Sequence, residues 1–536
     1  MPTDAFDRTS TAPRREVDVL VVGGGINGTG IARDLAGRGA RVLLCEKDDL
    51  ASHTSSASTK LIHGGLRYLE YREFGLVRKA LAEREVLLKG APHIMWPLRF
   101  VMPHDPSMRP VWMIRLGLFL YDHLARREVL PASRTVDLRA HAAGAPLKSE
   151  FRRGFVYSDG WVDDARLVAL CAVDAAEHGA TVLTRTTCVD AVRGADHWQV
   201  RLQAARGGTL QVAARSLVNA AGPWAAEFLS AHAHTGGPAQ LRLVKGSHIV
   251  VPKLFEHDHA YIFQNADRRI IFASPYEGEF TLIGTTDVEH DGAIGDARAE
   301  PVEIEYLCEQ TSRYFAKPVT PAQVVWTYSG VRPLLDDESG NPAAVTRDYR
   351  LELDSGAGAP LLSVWGGKIT TFRKLAEEAA ELLVAALPEA PSRGAWTADA
   401  PLPGGDLREF LRERAPPAAA LGALFERFVE TLHDRHPQLA STLVARLARR
   451  YGTRAVPLLA RGLGAEIAPG VFAGELAHLR AHEWARTGDD VLWRRTKLGL
   501  HLDAAGRAAV SAWMAVQDED SRAFGTEDVQ LGWPAA

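Results

Sequence analysis

Cysteine is scarce in this chain: Cys45, Cys171, Cys188 and Cys308 are the only four in 536 residues, and no two form a CxxC pair. So few cannot staple a chain of this length, which excludes a disulfide framework and points to free thiols in a reducing compartment. Cys45, inside an apolar run, reads as inert packing. Long apolar runs are missing as well. No uncharged stretch approaches the roughly 18 to 20 residues a spanning helix needs, so the chain is expected to be soluble or at most surface-bound. Met1 to Glu16 is polar and lacks the apolar centre of a secretory signal. Neither sign of charge dominates. With 62 basic and 66 acidic residues the net charge is −4, which offers no footing for a nucleic acid. A metal centre is not expected either: His257 and His259 could share one strand face, but no third ligand is evident. The remaining composition, 46% hydrophobic and 24% charged, is that of a folded chain of roughly two to four domains.

The most informative segment comes first. Val17 to Val22 is a short apolar run suited to a buried parallel strand. Gly23-Gly24-Gly25-Ile26-Asn27-Gly28 follows, then a helical pattern through Leu35 and a second apolar strand, Arg41 to Cys45, ending in Glu46. In Gly23-x-Gly25-x-x-Gly28 the first glycine permits a tight turn. The second lets a pyrophosphate approach the backbone, and the third lets helix and strand pack closely. Glu46 stands where a carboxylate accepts bonds from a ribose hydroxyl, which argues against a 2′-phosphate but leaves NAD and FAD both open. Two further segments favour a flavin. Leu217 to Trp224 is an apolar strand ending in small residues, and Leu362 to Thr371 reads as strand, Gly366-Gly367 and helix start, where a helix N-terminus can stabilise negative charge on a reduced flavin.

Helices are expected near Glu73–Lys89, Leu167–His178 and Thr370–Ala386, with many short β-rich runs between about 198 and 283 that suggest an antiparallel sheet. Trp112 to Leu124 is apolar nearly all round, which favours a buried core helix over a docking helix. After the proline-rich stretch that ends at Gly404-Gly405, residues 405–536 read as a separate all-helical domain.

The glycine turn, Ser55 to Leu69, Ile283-Gly284-Thr285-Thr286-Asp287, Trp326 to Leu334 and Gly366 to Thr371 together resemble, in order, the FAD-dependent glycerol-3-phosphate dehydrogenases. Arg494-Arg495-Thr496-Lys497-Leu498-Gly499-Leu500 is similar to their helical C-terminal domain. The resemblance implies an α/β fold: an FAD-binding doubly wound (Rossmann-like) domain, an antiparallel-sheet substrate domain and the C-terminal helices. The oxidoreductase core is then expected over 17–385. Its FAD-binding segments lie near 17–90, 150–240 and 340–385, and its substrate-domain segments near 91–149 and 241–339.

The family oxidises sn-glycerol 3-phosphate to dihydroxyacetone phosphate and passes electrons to a quinone at a membrane surface. The resemblance therefore implies a peripheral protein on the cytoplasmic side of the inner membrane, with non-covalent FAD; a homodimer stays open. It carries substrate contacts onto Arg67, Tyr68, Thr285, Arg332 and Lys368. Arginine offers a planar fork for phosphate oxygens. His248 matches an active-site histidine suited to accept a proton, and Arg332 is the alternative that steadies the alkoxide. Cofactor contacts are expected from Gly23, Gly25, Ile26, Asn27, Gly28, Glu46 and Lys47 around the glycine turn. Ser55, Ser56, Ser58, Lys60, Leu61, His63, Gly64 and Gly65 follow in the loop after it. Ala221, Gly222 and Trp224 form a third group, and Gly366, Gly367, Lys368, Ile369 and Thr370 a fourth. The rivals are an oxidase acting on the same substrate with oxygen, an amine or amino-acid oxidase, and a non-enzymatic dinucleotide sensor. The amino-acid enzymes need one carboxylate anchor, whereas this chain supplies several cations suited to a dianion.

Overall fold

The structure, a computed structural model, describes residues 14–105, 109–235, 241–265, 267, 269–335, 348–387, 389, 393–412 and 421–519. Arg14–Val22 is a strand whose last six residues are buried, and it runs parallel to Val42–Cys45 on one side and Thr209–Asn219 on the other. Its apolar continuity follows from burial on both faces. Thr181–Leu183 extends this sheet beyond Val42–Cys45, and Leu361–Trp365 extends it beyond Thr209–Asn219, again in parallel. Arg350–Asp354 closes one edge antiparallel, and the hairpin Thr186–Arg193/Trp198–Ala204 hangs on Thr209–Asn219. Helices Ile26–Gly37, Asp164–Glu177 and Phe372–Ala386 cover the sheet. Ile31, Leu35, Val168, Ala172, Leu375 and Ala379 meet in one core.

A second, ten-stranded sheet is antiparallel except where Ala260–Gln264 runs parallel to Met95–Pro103. Its spine is Leu241–Pro252, paired with Trp326–Leu335 on one side and with Phe280–Gly284 on the other. Strand pairing also brings Leu61–Ile62 and Arg153–Val162 into this sheet, so the chain crosses between sheets several times.

The C-terminal stretch is mostly helical, including Leu421–Arg435, Ser441–Tyr451, Ala473–His482 and Ala504–Glu519. It is not purely so: Glu466–Ala468 and Val471–Phe472 form a two-stranded ribbon around Pro469-Gly470. The expected all-helical reading missed strands this short because three residues carry no periodicity.

Helix Val111–His123 departs further from expectation. Only Leu118 and Tyr121 are buried, while Trp112 (64%), Leu116 (51%) and Phe119 (57%) stand exposed together with Met113. No helix among the described residues is long and apolar enough to cross a membrane.

Candidate active site

The glycine turn is shaped by what it must avoid. At Gly23, with φ +116°, a Cβ would lie 2.4 Å from the Ala220 carbonyl oxygen. At Gly28 it would lie 2.0 Å from the Gly23 carbonyl oxygen, the close helix–strand approach expected of the third glycine. Gly24 N–H donates to Glu46 Oε2 at 2.6 Å, and Asp48 N–H donates to Oε1 at 2.8 Å. Burial nevertheless holds the Glu46 carboxyl above its ordinary pKa. Ile26 N–H, at the helix start, donates to Ser55 Oγ at 3.0 Å.

Gly23, Gly24, Ile26, Glu46, Ser55 and Ala220 line a cavity of about 260 Å³. Lys47 Nζ lies 3.7 Å from the Trp224 ring centroid, and His53 packs edge-on to the same ring at 4.6 Å. Gly222, Gly366 and Gly367 all take positive φ along its wall.

A second cavity, of about 290 Å³, shares Ile26, Thr54, Ser55, Pro333, Gly366 and Gly367 with the first. The two form one elongated trough across both sheets. Arg67, Tyr68, Thr285, Arg332 and Lys368, drawn from four distant stretches of the sequence, all line this second part. Lys368 Nζ sits 3.6 Å from the Tyr68 ring centroid. Arg332 Nη2 donates to Thr285 Oγ1 at 3.0 Å, and its Nη1 pairs with Asp287. Gly246 leaves the room this needs, since a Cβ there would meet Arg332 at 2.4 Å.

The trough fits a flavin dinucleotide. Its glycine-lined end offers backbone N–H groups at a helix N-terminus. Asn27, at that end, donates from Nδ2 to the Gly366 carbonyl, while its buried Oδ1 has no partner. A group that donates to this oxygen would remove the unfavourable burial.

His248 does not line the trough. It is fully buried, its ring stacks on Tyr328 at 4.7 Å, and its Nε2 lies 3.1 Å from Thr59 Oγ1. Thr59 itself lines the second cavity. Burial first, then Arg332 and Lys60, push the imidazole well below its usual pKa and keep it neutral. Gly284 is required beneath it, because a Cβ there would lie 2.0 Å from the ring.

Gly28, Ser56, Lys60 and Gly64 also lie off the trough walls. Lys60 is buried beneath the loop, donating to Asp164 Oδ1 at 2.7 Å and to the Ser56 carbonyl. Gly64 N–H donates to Tyr121 Oη at 2.8 Å. The remaining expected cofactor residues all line one cavity or the other.

Sequence reading missed Thr59, Tyr328, Asp287 and Asp159. Asp287 ends the Ile283 to Asp287 run, and its place in that motif was its only signal. Asp159 lines the second cavity and accepts from Tyr121 Oη at 2.7 Å and Arg84 Nη1 at 2.6 Å. Burial raises its pKa despite that arginine. A charge in the middle of the apolar strand Arg153–Val162 was the sign to read.

The pattern of residues 18–373 matches the family described as FAD dependent oxidoreductase, and 395–520 matches the C-terminal domain of alpha-glycerophosphate oxidase. The chain is 51% identical to D-erythritol 1-phosphate dehydrogenase of Brucella abortus, over 92% of this chain and 97% of that protein. It is 52% identical to glycerol-3-phosphate dehydrogenase of Pseudomonas aeruginosa, over 94% and 96%. In solved structures it is similar to the glycerol-3-phosphate dehydrogenase from Bacillus halodurans complexed with FAD, with a TM-score of 0.74 and 26% identity over 94% of this chain and 91% of that one.

Proposed function

The chain belongs to the FAD-dependent oxidoreductase family, and from that premise we propose that it oxidises sn-glycerol 3-phosphate to dihydroxyacetone phosphate. The observation that carries this reading is the convergence of Arg67, Arg332 and Lys368 on one cavity next to the glycine-lined trough. Three cations match a phosphate dianion better than the single carboxylate of an amino acid.

In this reading Gly23 to Asn27, Glu46, Lys47 and Trp224 would hold the dinucleotide end of FAD, and Gly366 to Thr370 would hold its flavin end. When bound, FAD supplies the hydride acceptor for the substrate carbon. Arg67, Lys368 and Arg332 orient the phosphate, with Tyr68 and Thr285 as additional donors. Neutral His248 takes the proton of the reacting hydroxyl through the Thr59 hydroxyl that separates it from the cavity. Arg332 then steadies the developing alkoxide.

We assign the electron acceptor to a quinone and the site of action to the cytoplasmic face of the inner membrane. The exposed Trp112, Met113, Leu116 and Phe119 support docking on lipid. Nearby, Arg126 is 88% exposed, and Arg109 ties this region to Glu70 beside the exposed Tyr71 and Phe74. Such a surface would serve a monomer or a homodimer alike.

Anaerobic addition of sn-glycerol 3-phosphate should bleach the flavin absorbance, while amino acids should not. Bleaching by amino acids alone would move the chain to the amino-acid oxidases, and stoichiometric peroxide in air would make it an oxidase. D-erythritol 1-phosphate belongs in the same titration, and a much lower half-bleaching concentration for it would make the tetritol phosphate the substrate.

A further inference from the structure

A third cavity, of about 1090 Å³, lies between the oxidoreductase core and the C-terminal helices. The core side carries the aromatic rings of Trp96, Trp161 and Tyr276 beside the charged Lys60, Asp163, Glu277 and Glu279. The rings of Trp96 and Trp161 are 5.9 Å apart, and those of Trp161 and Tyr276 are 5.8 Å apart. The helical side contributes Phe425, Leu443 and Arg449.

Polar atoms on this lining lack partners. His93 is fully buried with neither ring nitrogen hydrogen-bonded, and the hydroxyl of the nearly buried Tyr276 is equally unpaired. Groups so placed are normally satisfied by a protein atom, a water or a ligand.

Arg449 stands apart from its neighbours. Arg446 pairs with Glu475, and Arg450 pairs with Asp163 and Glu277. Among the described residues Arg449 has no carboxylate within 4.0 Å. Its guanidinium lies 3.5 Å from the Phe425 ring centroid and 4.6 Å from that of Trp96, and it makes one long hydrogen bond, 3.4 Å, to the Pro92 carbonyl. Pro92 adjoins His93, so the uncompensated cation and the unpaired imidazole share one corner. Burial and Arg450 push the Arg449 pKa down to about 9 against the pull of Glu426, and burial with Arg166 and Arg449 holds His93 at about 3. Burial is the main cause of both shifts, and the neighbouring cations add to it.

We propose that this interdomain cavity binds an amphiphilic anion, its carboxylate or phosphate head between Arg449 and His93 and its apolar body along Trp96, Trp161 and Tyr276. The head accepts from the guanidinium and from the one N–H of a neutral imidazole. The aromatic part of the lining disfavours a bare inorganic ion as occupant, because it would leave that surface uncovered. Since the lining comes from both the core and the helices, the ligand links the two and stabilises the native chain by mass action. The proposal does not depend on which phosphate ester the enzyme oxidises.

The experiment titrates the FAD-loaded enzyme calorimetrically with dodecanoate, dodecyl phosphate and inorganic phosphate, the amphiphiles kept below their micelle concentrations. One dodecyl anion should bind per chain and raise the melting temperature, with inorganic phosphate at least tenfold weaker. Saturation by dodecanoate alone identifies a carboxylate source, and by dodecyl phosphate alone a phosphate source. Arg449→Gln should weaken binding at least tenfold while leaving turnover of glycerol 3-phosphate unchanged. His93→Phe, which fills the corner with an apolar ring, is the second variant should the first fail to fold. The double variant Trp112→Glu/Phe119→Glu separates this cavity from the exposed helix and should bind as wild type does. No binding of either amphiphile, wild-type affinity in both cavity variants, or binding lost only in the helix variant would overturn the proposal.

Discussion

Arg495, from the C-terminal region, holds Asp49 in a bidentate pair: Nη1 donates to Oδ2 and Nη2 to Oδ1, each at 2.8 Å, with both side chains fully buried. Arg494 adds a bond to the same carboxylate at 2.7 Å. Asp49 lies three residues past Glu46, and Ala51 N–H donates to the Gly24 carbonyl, so the pair reaches the glycine turn through one short loop. Breaking a buried ion pair on one side leaves an uncompensated charge, at a cost of about 3 to 5 kcal/mol. Arg495→Gln should therefore lower the melting temperature and also loosen FAD. The check is the flavin-to-protein absorbance ratio after gel filtration, and full retention with an unchanged melting temperature would disprove the link.

Gly25→Val tests the turn itself. A Cβ at Gly25 already comes within 3.0 Å of Ser55 Oγ, the atom that accepts the Ile26 N–H, and a branched side chain would fill the space where a pyrophosphate must approach. The variant should purify colourless. A yellow protein at full occupancy would move the cofactor elsewhere.

The cation set predicts a loss of catalytic efficiency when either of two members is removed. Lys368→Ala and Arg332→Ala should each reduce kcat/KM by about 2 to 4 kcal/mol of transition-state stabilisation. Arg332→Ala also leaves Asp287 facing the substrate phosphate, so Arg332→Ala/Asp287→Asn should recover part of the loss. Steady-state rates decide, and near-normal values for both single variants would contradict the phosphate pocket.

Local signals were legible and remote ones were not. Gly23 to Gly28 lies between two short strands and opens a helix, so a window of about thirty residues contains the whole unit. Thr59 and His248 are 189 residues apart, and nothing local marks them as partners. The pair Asp49–Arg495, 446 residues apart, is equally invisible, although the basic run Arg494-Arg495 was itself conspicuous. Helix Val111–His123 was read by composition as buried. Apolar residues on all sides do favour burial, but among the described residues no other element covers the face bearing Trp112, Leu116 and Phe119.

Acid should destabilise the chain through its buried imidazoles. His93 at about 3 and His248 well below 6.5 stay neutral in the folded state, while both titrate near 6.5 once unfolded. Their folded pKa values are depressed, so below pH 6.5 the unfolded chain binds protons that the native chain refuses. Their contribution to stability is therefore fully present above pH 6.5 and falls as pH drops below it, by about 1.4 kcal/mol per pH unit for each histidine still neutral in the folded state, for His93 down to about 3. Urea midpoints between pH 7.5 and 5 measure this, and His93→Phe should flatten the slope by close to one proton. A pH-independent midpoint in the wild type would refute the assignment.

The exposed helix makes the last prediction. Trp112, Leu116 and Phe119 present apolar surface to solvent, and Arg126, 88% exposed although paired with Glu128, adds positive charge nearby. Each indole or phenyl ring transferred into the lipid interface gains on the order of 1 to 3 kcal/mol, so losing two of them should weaken membrane partition by well over tenfold. Wild-type enzyme should float with vesicles containing anionic lipid, and less so at high salt, because the electrostatic part is screened. Trp112→Glu/Phe119→Glu alters only exposed positions, so it should stay folded and flavin-loaded yet remain at the bottom of the gradient. It should also reduce a water-soluble dye at the wild-type rate while failing with a quinone confined to the bilayer. If the variant floats as the wild type does, the helix is not the anchor.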